Sequence, residues 1–562
     1  MKRNPFVFIV FVAVSLQVSA HCPNTFYENG TSIENSTPRR IKTITNPSFT
    51  SSNTNSLHIE SVELSKKETV MLLSIYQLPN SWVRLNNTTI LRGDQTGKTY
   101  RLRRVEGMPI DKEVYTPLTG YQEARLFFDP VSHRDTTVSF IEGSAEGHWK
   151  VENIRLLPED TIGKLRVHLE GTVEDSYASC LTIQESGETD RSKIVEHKIP
   201  VRNGRFSYDF FTDRIGHYEL QIAHHWMMYG SCFPANFIAE PDAEVHVHFY
   251  AYDTQKIPEV KTIRGQENRI MEYQTGYFVN TFHPFLDILE NYEDSINKLH
   301  FSYTPEFYAN TERYTNTQNE AERDSLNDWI IRSYDTHKTP EQQAVDSITK
   351  AIYNLITQAQ LRTFRMQPSF YGFSHIRKNF LAPSCMTEQE RHQYEQLYHD
   401  IYASLYEGHP YHADIHMSLS APKVGKPYID YNVRSKDGKP VLISSLMNGK
   451  ITLVDLWASW CGPCRRNSMS YIPIYEKFKS SGFHVIGIAR EKSDTHWKQA
   501  IEKDKYPWLN LIEQNDEHLI WRRNGLNYSA GGTFLIDKDG TVLAINPSAE
   551  ELERILKEKL CN

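Results

Sequence analysis

Ile451-Thr452-Leu453-Val454-Asp455-Leu456-Trp457-Ala458-Ser459-Trp460-Cys461-Gly462-Pro463-Cys464 decides the fold of the C-terminal part of this chain. The run opens with Ile451 to Leu456, where side chains that favour a buried strand dominate. It ends in two thiols separated by Gly462-Pro463. After them the spacing becomes helical. Ser468, Ile472, Tyr475 and Lys479 mark one face, and Met469, Tyr471, Ile474 and Phe478 supply apolar surface around it. Pro473 lies inside that segment and predicts a kink or break there. The pattern is strand, tight turn and helix, with both thiols at the helix entrance.

That placement has chemical consequences. A helix N-terminus presents unpaired backbone N–H groups and a partial positive charge. A thiolate there is stabilised, so Cys461 is expected to titrate below the ~8.5 of a free thiol. The thiolate is the nucleophile of disulfide exchange. Cys464, one turn on, shares the same side and can attack a mixed disulfide to release the substrate. Pro463 falls in the first turn, where a missing N–H costs nothing. Asp455 precedes Cys461 on the incoming strand, at a depth that desolvates a carboxyl and suits it to accept the proton of Cys464.

Val454 to Cys464 resembles the active-site segment of thioredoxins, and residues 421–562 are similar to the TlpA/ResA-like thioredoxins of the Gram-negative cell envelope. The resemblance implies Cys461 as attacking thiol, Cys464 as resolving thiol and Asp455 as buried proton acceptor. Trp460, Gly462, Pro463, Ala530, Gly531 and Gly532 would surround the redox-active pair. An isolated Cys-x-x-Cys also occurs as half a zinc site or as a structural disulfide. The chain has no second Cys-x-x-Cys and no Cys/His pair at ligand spacing, so redox chemistry without metal or cofactor is the expectation.

The sequence departs from the family where Ala530-Gly531-Gly532-Thr533 replaces the usual apolar-Pro-Thr-Thr. The family's proline falls at Gly531, where it would face the disulfide, hold a substrate strand and keep metal ions off the thiols. Met469 stands where many relatives have a kink-forming proline, and Asn467 where many have Glu. None of these changes replaces a thiol or Asp455.

At 562 residues the chain is too long for one core. A hydrophobic content of 39% and a net charge of −8 are ordinary for a globular protein. Without a basic tract, nucleic acid is not an expected partner. Lys2 and Arg3, the apolar run Phe6 to Leu16, and Val18-Ser19-Ala20 read as a signal peptide cleaved near Ala20. The mature chain would then lie in the periplasm or envelope, with no transmembrane segment. Five of the seven cysteines, Cys22, Cys180, Cys232, Cys385 and Cys561, are scattered singly. Cys180 and Cys232 fall in one β-rich region, and their pairing stays open.

The predicted fold class is multidomain: a C-terminal α/β thioredoxin-like fold preceded by two β-rich, sandwich-like domains and a helical segment. The boundaries read as 1–20 signal peptide, 21–157 β-rich domain with a flexible leader, 158–265 sandwich-like domain, 266–415 helical region and 416–562 thioredoxin-like domain. In the first β region, His58 to Leu64 alternates imperfectly, with Ile59 out of phase with Val62 and Leu64. In the second, Asn203-Gly204 is a strong hairpin signal. That region is also similar to the β-domain of unknown function found ahead of TlpA-like thioredoxins.

In the helical region, Val345, Ile348, Ile352, Leu355 and Ala359 repeat with helical period, as do Tyr394, Leu397, Ile401 and Leu405. Thr387 to Glu390 is a capping box, and Gly408 and Pro410 are read as the helix end. Ala421 to Pro427 has the composition of a linker. Asp437-Gly438 reads as a hairpin turn, Trp508 to Ile512 as a strand and Asp516 to Arg523 as a helix. His246 with His248 reads as a solvated face, His412-Asp414-His416 as a polar linker, and His224-His225 as surface or satisfied core.

These readings predict an exported thiol–disulfide oxidoreductase that reduces disulfides in envelope proteins. The Gly-Pro dipeptide matches thioredoxin, whose potential is about −270 mV. The resemblance implies re-reduction by a membrane electron donor. Two alternatives stand beside it. The upstream domains form a binding module for an envelope protein or glycan, with the thioredoxin unit as accessory; or the dithiol works as an oxidase or isomerase.

Overall fold

The computed structural model describes residues 42–560 apart from 55, 146, 158–160, 188–196, 383–385, 435–438, 493 and 527–530. The signal-peptide reading, Cys22, Cys385, Cys561, the Asp437-Gly438 turn and Ala530 therefore lie outside the described residues. The chain divides into two compact units, one reaching Ala359 and the other beginning at Gln360 and including Ser186. That division falls inside the stretch 266–415 read as one helical region.

In the first unit, nine strands between Lys42 and Arg155 form a single sheet with every neighbouring pair antiparallel. The imperfect alternation after Leu57 has a physical cause. Leu57–Leu64 pairs with Thr69–Tyr76, and the register shifts between Ile59 and Ser61. This bulge brings Ile59 and Val62 to the same buried face.

Two four-stranded sheets follow and pack as a sandwich around Leu169, Phe210, Val245, Leu181, Leu220 and Phe237. Asn203 and Gly204 have the positive φ values, 52° and 69°, that a two-residue turn of this hand requires. The flanking strands do not pair as a hairpin ladder, however. His197–Pro200 joins Cys180–Glu185 in one sheet, and Arg205–Thr212 joins Leu165–Val173 in the other. The tight turn is a corner of the sandwich.

Cys180 and Cys232 are not joined; the Cys232 thiol donates to Gln221 Oε1 at 2.7 Å. His225 is buried against Asp175 at 2.7 Å. His246 and His248 meet Glu244 and Glu174 at 3.3 and 3.1 Å.

The helices Gln266–Lys298, Pro305–Asn316, Glu320–Ser333 and Pro340–Met366 come next. The periodic residues of the last do not all turn inward. Val345 is buried, but Ile348 and Leu355 are 49% and 58% exposed.

In the second unit, α1 (Phe370–Leu381), α2 (Glu388–Asp400) and α3 (Pro410–Leu419) pack through aromatic side chains, with Phe370, Phe373, Tyr398, Tyr402 and Tyr411 buried. The capping box forms: Thr387 Oγ1 accepts from Glu390 N–H, and the Glu390 carboxylate accepts from Thr387 N–H. The end of α2 differs from expectation. The helix stops at Asp400, and Tyr402 anchors the following turn by donating to Phe364 O at 3.0 Å. Pro410 begins α3 instead of ending α2, since proline suits a first turn.

His412, Asp414 and His416 thus sit on a helix and not in a linker. Both histidines hydrogen-bond Tyr398 Oη, at 2.8 and 3.1 Å. Asp414 accepts from Arg377 at 2.6 Å and from Arg522 at 3.1 Å. The linker reading of residues 421–427 also changes. Gly425 N–H donates to Val542 O, and Val542 N–H donates to Lys426 O, so this segment lines a sheet edge.

The sheet of the second unit contains β1 (Asn432–Arg434), β2 (Pro440–Leu442), β3 (Ile451–Trp457), β4 (Phe483–Glu491), β5 (Leu509–Gln514), β6 (Gly532–Asp537) and β7 (Val542–Ile545), in the order β2-β1-β5-β4-β3-β6-β7. β3, β4 and β5 run parallel, while β6 lies antiparallel to β3. β3 is buried at all seven positions, because it is interior to the sheet and both faces are covered. Leu453 and Trp457 face α4 (Gly462–Phe478) and the closing helix Ala549–Leu560; Val454 and Leu456 face the other layer.

Two stretches of the second unit differ from their sequence pattern. α4 continues through Pro473, which removes one backbone hydrogen bond without ending the helix. Between Asp516 and Arg523 only α5 (Ile520–Arg523) is helical, since Asp516 and Leu519 adopt left-handed backbone angles.

Candidate active site

Cys461 ends the turn after β3 and caps α4. Its Sγ accepts the Cys464 N–H at 3.3 Å, so the helix N-terminus aims a donor at this sulfur. Cys461 and Cys464 are joined as a disulfide. Cys461 is 4% exposed, whereas Cys464 is only partly covered. The expected attacking sulfur therefore belongs to the more enclosed residue of the oxidised pair. Gly462 and Pro463 are exposed beside it, and the Trp460 ring, 53% exposed, lies 5.9 Å from the buried ring of Trp521.

Asp455 is 2% exposed. Burial pushes its carboxyl up to about 7, against the opposing hydrogen bond from Ser468. Its link to Cys464 runs through that serine. The Ser468 hydroxyl lies 2.6 Å from Asp455 Oδ2 and 3.0 Å from the Cys464 carbonyl, and it donates to one of them at a time. Ser468 is four residues after Cys464, so the helix places it one turn along the same face.

The loop carrying the disulfide is held from outside its own sequence. The Glu491 carboxylate, at the end of β4, accepts from both the Ser459 N–H and the Ser459 hydroxyl. Arg465 donates to Ser459 O at 3.3 Å and grips Asp504 through two bonds of 2.7 Å. Tyr506 completes that cluster by donating to Asp504 at 2.9 Å.

On the far side, Gly532 pairs with Leu456 and Thr533 with Asp455. Gly531 N–H reaches Cys464 Sγ at 3.3 Å. Of the expected surroundings, Trp460, Gly462 and Pro463 adjoin the pair along the chain, Gly531 contacts Cys464 Sγ, and Gly532 pairs with Leu456. Sequence reading missed Ser468, Glu491, Arg465 and Asp504. Only Ser468 carried a local signal, its helical spacing from Cys464.

Residues 424–545 match the AhpC/TSA family. The C-terminal region carries a thioredoxin-like domain. Among its relatives, the thiol-disulfide oxidoreductase ResA of Bacillus thuringiensis subsp. konkukian is 26% identical over 139 residues, 24% of this chain and 78% of that protein. The thiol:disulfide interchange protein DsbE of Pseudomonas fluorescens is 28% identical over 127 residues, 22% of this chain and 66% of that protein. Among solved structures, a putative thiol:disulfide interchange protein DsbE from Chlorobium tepidum shares 25% identity, with a TM-score of 0.22. That likeness covers 25% of this chain and 99% of the other. By its sequence relatives, the thioredoxin-like domain is of the type carried by proteins named thiol–disulfide oxidoreductases. Among the described residues no helix is long and apolar enough to cross a membrane.

Proposed function

We propose that this chain is an exported, TlpA/ResA-like thiol–disulfide oxidoreductase that reduces disulfides in proteins of the Gram-negative cell envelope. The observation that carries the reading is the disulfide across the first turn of α4, with the Cys464 N–H on Cys461 Sγ and a buried carboxyl behind it. The Cys461 thiolate attacks a substrate disulfide, forming a mixed disulfide and releasing one substrate thiolate. Cys464 then loses its proton, Asp455 being its acceptor, and attacks Cys461 Sγ. The second substrate thiolate leaves and the Cys461–Cys464 bond forms. Two electrons pass from the pair to the substrate, and a membrane electron donor restores the dithiol.

The test is a Cys464→Ser variant of the full chain, exported in its host. Cys461 should then accumulate as a mixed disulfide with envelope proteins, and the wild-type chain should reduce insulin. If no partner is trapped and insulin stays oxidised, the reading falls. A potential near that of a strong oxidant, measured against glutathione, would reverse the proposed direction.

A further inference from the structure

Each sulfur of the pair has its own backbone donor. Cys464 N–H serves Cys461 from within the helix, and Gly531 N–H serves Cys464 from a segment 67 residues away in sequence. The second donor is held in place by β6, which begins at Gly532 and pairs there with Leu456 of β3. A side chain here would require the segment before β6 to shift. A Cβ on residue 531 would lie 1.9 Å from Leu456 O and 3.1 Å from Cys464 Sγ. Proline, which the family resemblance places at this position, has no N–H to donate.

We propose that the Gly531 amide is a catalytic hydrogen-bond donor that stabilises negative charge on Cys464 as the disulfide is reopened. The inference rests on reading the pair as an exchange site. In re-reduction, the thiolate of an external dithiol attacks Cys461 Sγ. A sulfur–sulfur bond forms between them and the Cys461–Cys464 bond breaks, its electron pair leaving on Cys464. The second donor thiol, as thiolate, then displaces Cys461, so the donor dithiol is oxidised by two electrons and the pair reduced by two. A hydrogen bond to an anion is about twice as strong as one to a neutral acceptor. The Gly531 bond therefore strengthens as charge arrives on Cys464, which favours the transition state over the resting disulfide. Lower-pKa thiols also leave faster.

The experiment follows the Gly531 amide in ¹⁵N spectra of the deuterated full chain, and measures the Cys464 pKa in a Cys461→Ser background with and without Gly531→Pro. In the Cys461→Ser protein, the Gly531 amide proton should shift with the same midpoint as the Cys464 thiol. Gly531→Pro should raise the Cys464 pKa by about one unit, a tenfold loss of thiolate below that pKa. At pH values where the thiolate is populated, a tenfold change lowers the potential by about 30 mV. Reduction of the oxidised Gly531→Pro protein by dithiothreitol should slow. The Cys461 pKa, read in a Cys464→Ser background, should stay put, which general damage to the site would not allow.

A Gly531 amide that ignores the Cys464 titration overturns the proposal, as does an unshifted Cys464 pKa in Gly531→Pro. Should that variant fail to fold, the titration of the Cys461→Ser protein decides alone. Absence of insulin reduction with the titration intact would count against the proposed function and leave the donor standing.

Discussion

Asp455→Asn should make the oxidised protein more stable and the enzyme slower. The carboxyl is buried in β3, and burial holds it at about 7, against an ordinary value of 3.8. A carboxyl raised in the folded state binds its proton more tightly there than when unfolded. Its contribution is most favourable at low pH and is lost as pH climbs from about 4 to about 7. The full loss is roughly 4 kcal/mol, at 1.36 kcal/mol per pKa unit. Asparagine removes this penalty but pairs less well with Ser468, at a cost of about 1–3 kcal/mol. The net gain should therefore be about 1–3 kcal/mol at pH 8 and vanish, or turn to a small loss, at pH 4. Native-state hydrogen exchange of the β3 amides, corrected for intrinsic rates, reads the relevant unit without requiring the whole chain to unfold in one step. In the same variant, release of substrate from the Cys461 mixed disulfide should slow by roughly a hundredfold or more, the lower end of what a proton acceptor contributes. A variant less stable at pH 8, or equally stabilised at both pH values, refutes the assignment of that strain to an ionised Asp455.

The same logic covers a second carboxyl. Glu513 accepts the His518 and Ile520 N–H groups at the start of α5, and burial raises it to about 7; a tryptophan fluorescence change with a midpoint near 7, reporting Trp521 on that helix, should be absent in Glu513→Gln. Asp414→Ala removes the carboxylate that Arg377 and Arg522 share and should cost about 3–5 kcal/mol in urea unfolding of the second unit, whereas a loss under 1 kcal/mol would show that the arginines find other compensation. Glu491→Ala should lower hydrogen-exchange protection at the Ser459 amide by about tenfold, since one charge-assisted bond is lost there.

What could be read from sequence was local. Residues 451–464 announced a buried strand, a turn and a helix because each signal sits within a few residues of the next. The capping box at Thr387 and the turn at Asn203-Gly204 were legible for the same reason, being chemistry of adjacent residues. What the turn connected was not legible. Whether Asn203-Gly204 joins one sheet or two depends on the partners of strands tens of residues away. Pro410 is ambiguous in sequence because proline both follows helices and begins them, and only the packing of Tyr411 and Ile415 decides between the two. Ile348 and Leu355 kept helical period and still face outward, so period alone does not fix which side of a long helix is covered.

The site itself divides along the same line. Cys461, Cys464, Gly462 and Pro463 occupy one turn, and their chemistry follows from the helix they begin. The groups that set their geometry come from elsewhere: Glu491 from the end of β4, Asp504 from the last turn of the following helix, and Gly531 from just before β6. These contacts converge because β3 is interior to the sheet, with β4 on one side and β6 on the other. A sheet of this order delivers backbone and carboxylate partners to the loop after this interior strand from both flanks at once. The thiols can then be tuned by changes at residues that share no sequence neighbourhood with them. Gly531 is the sharpest instance, since its amide reaches the second sulfur from outside the Cys-Gly-Pro-Cys segment.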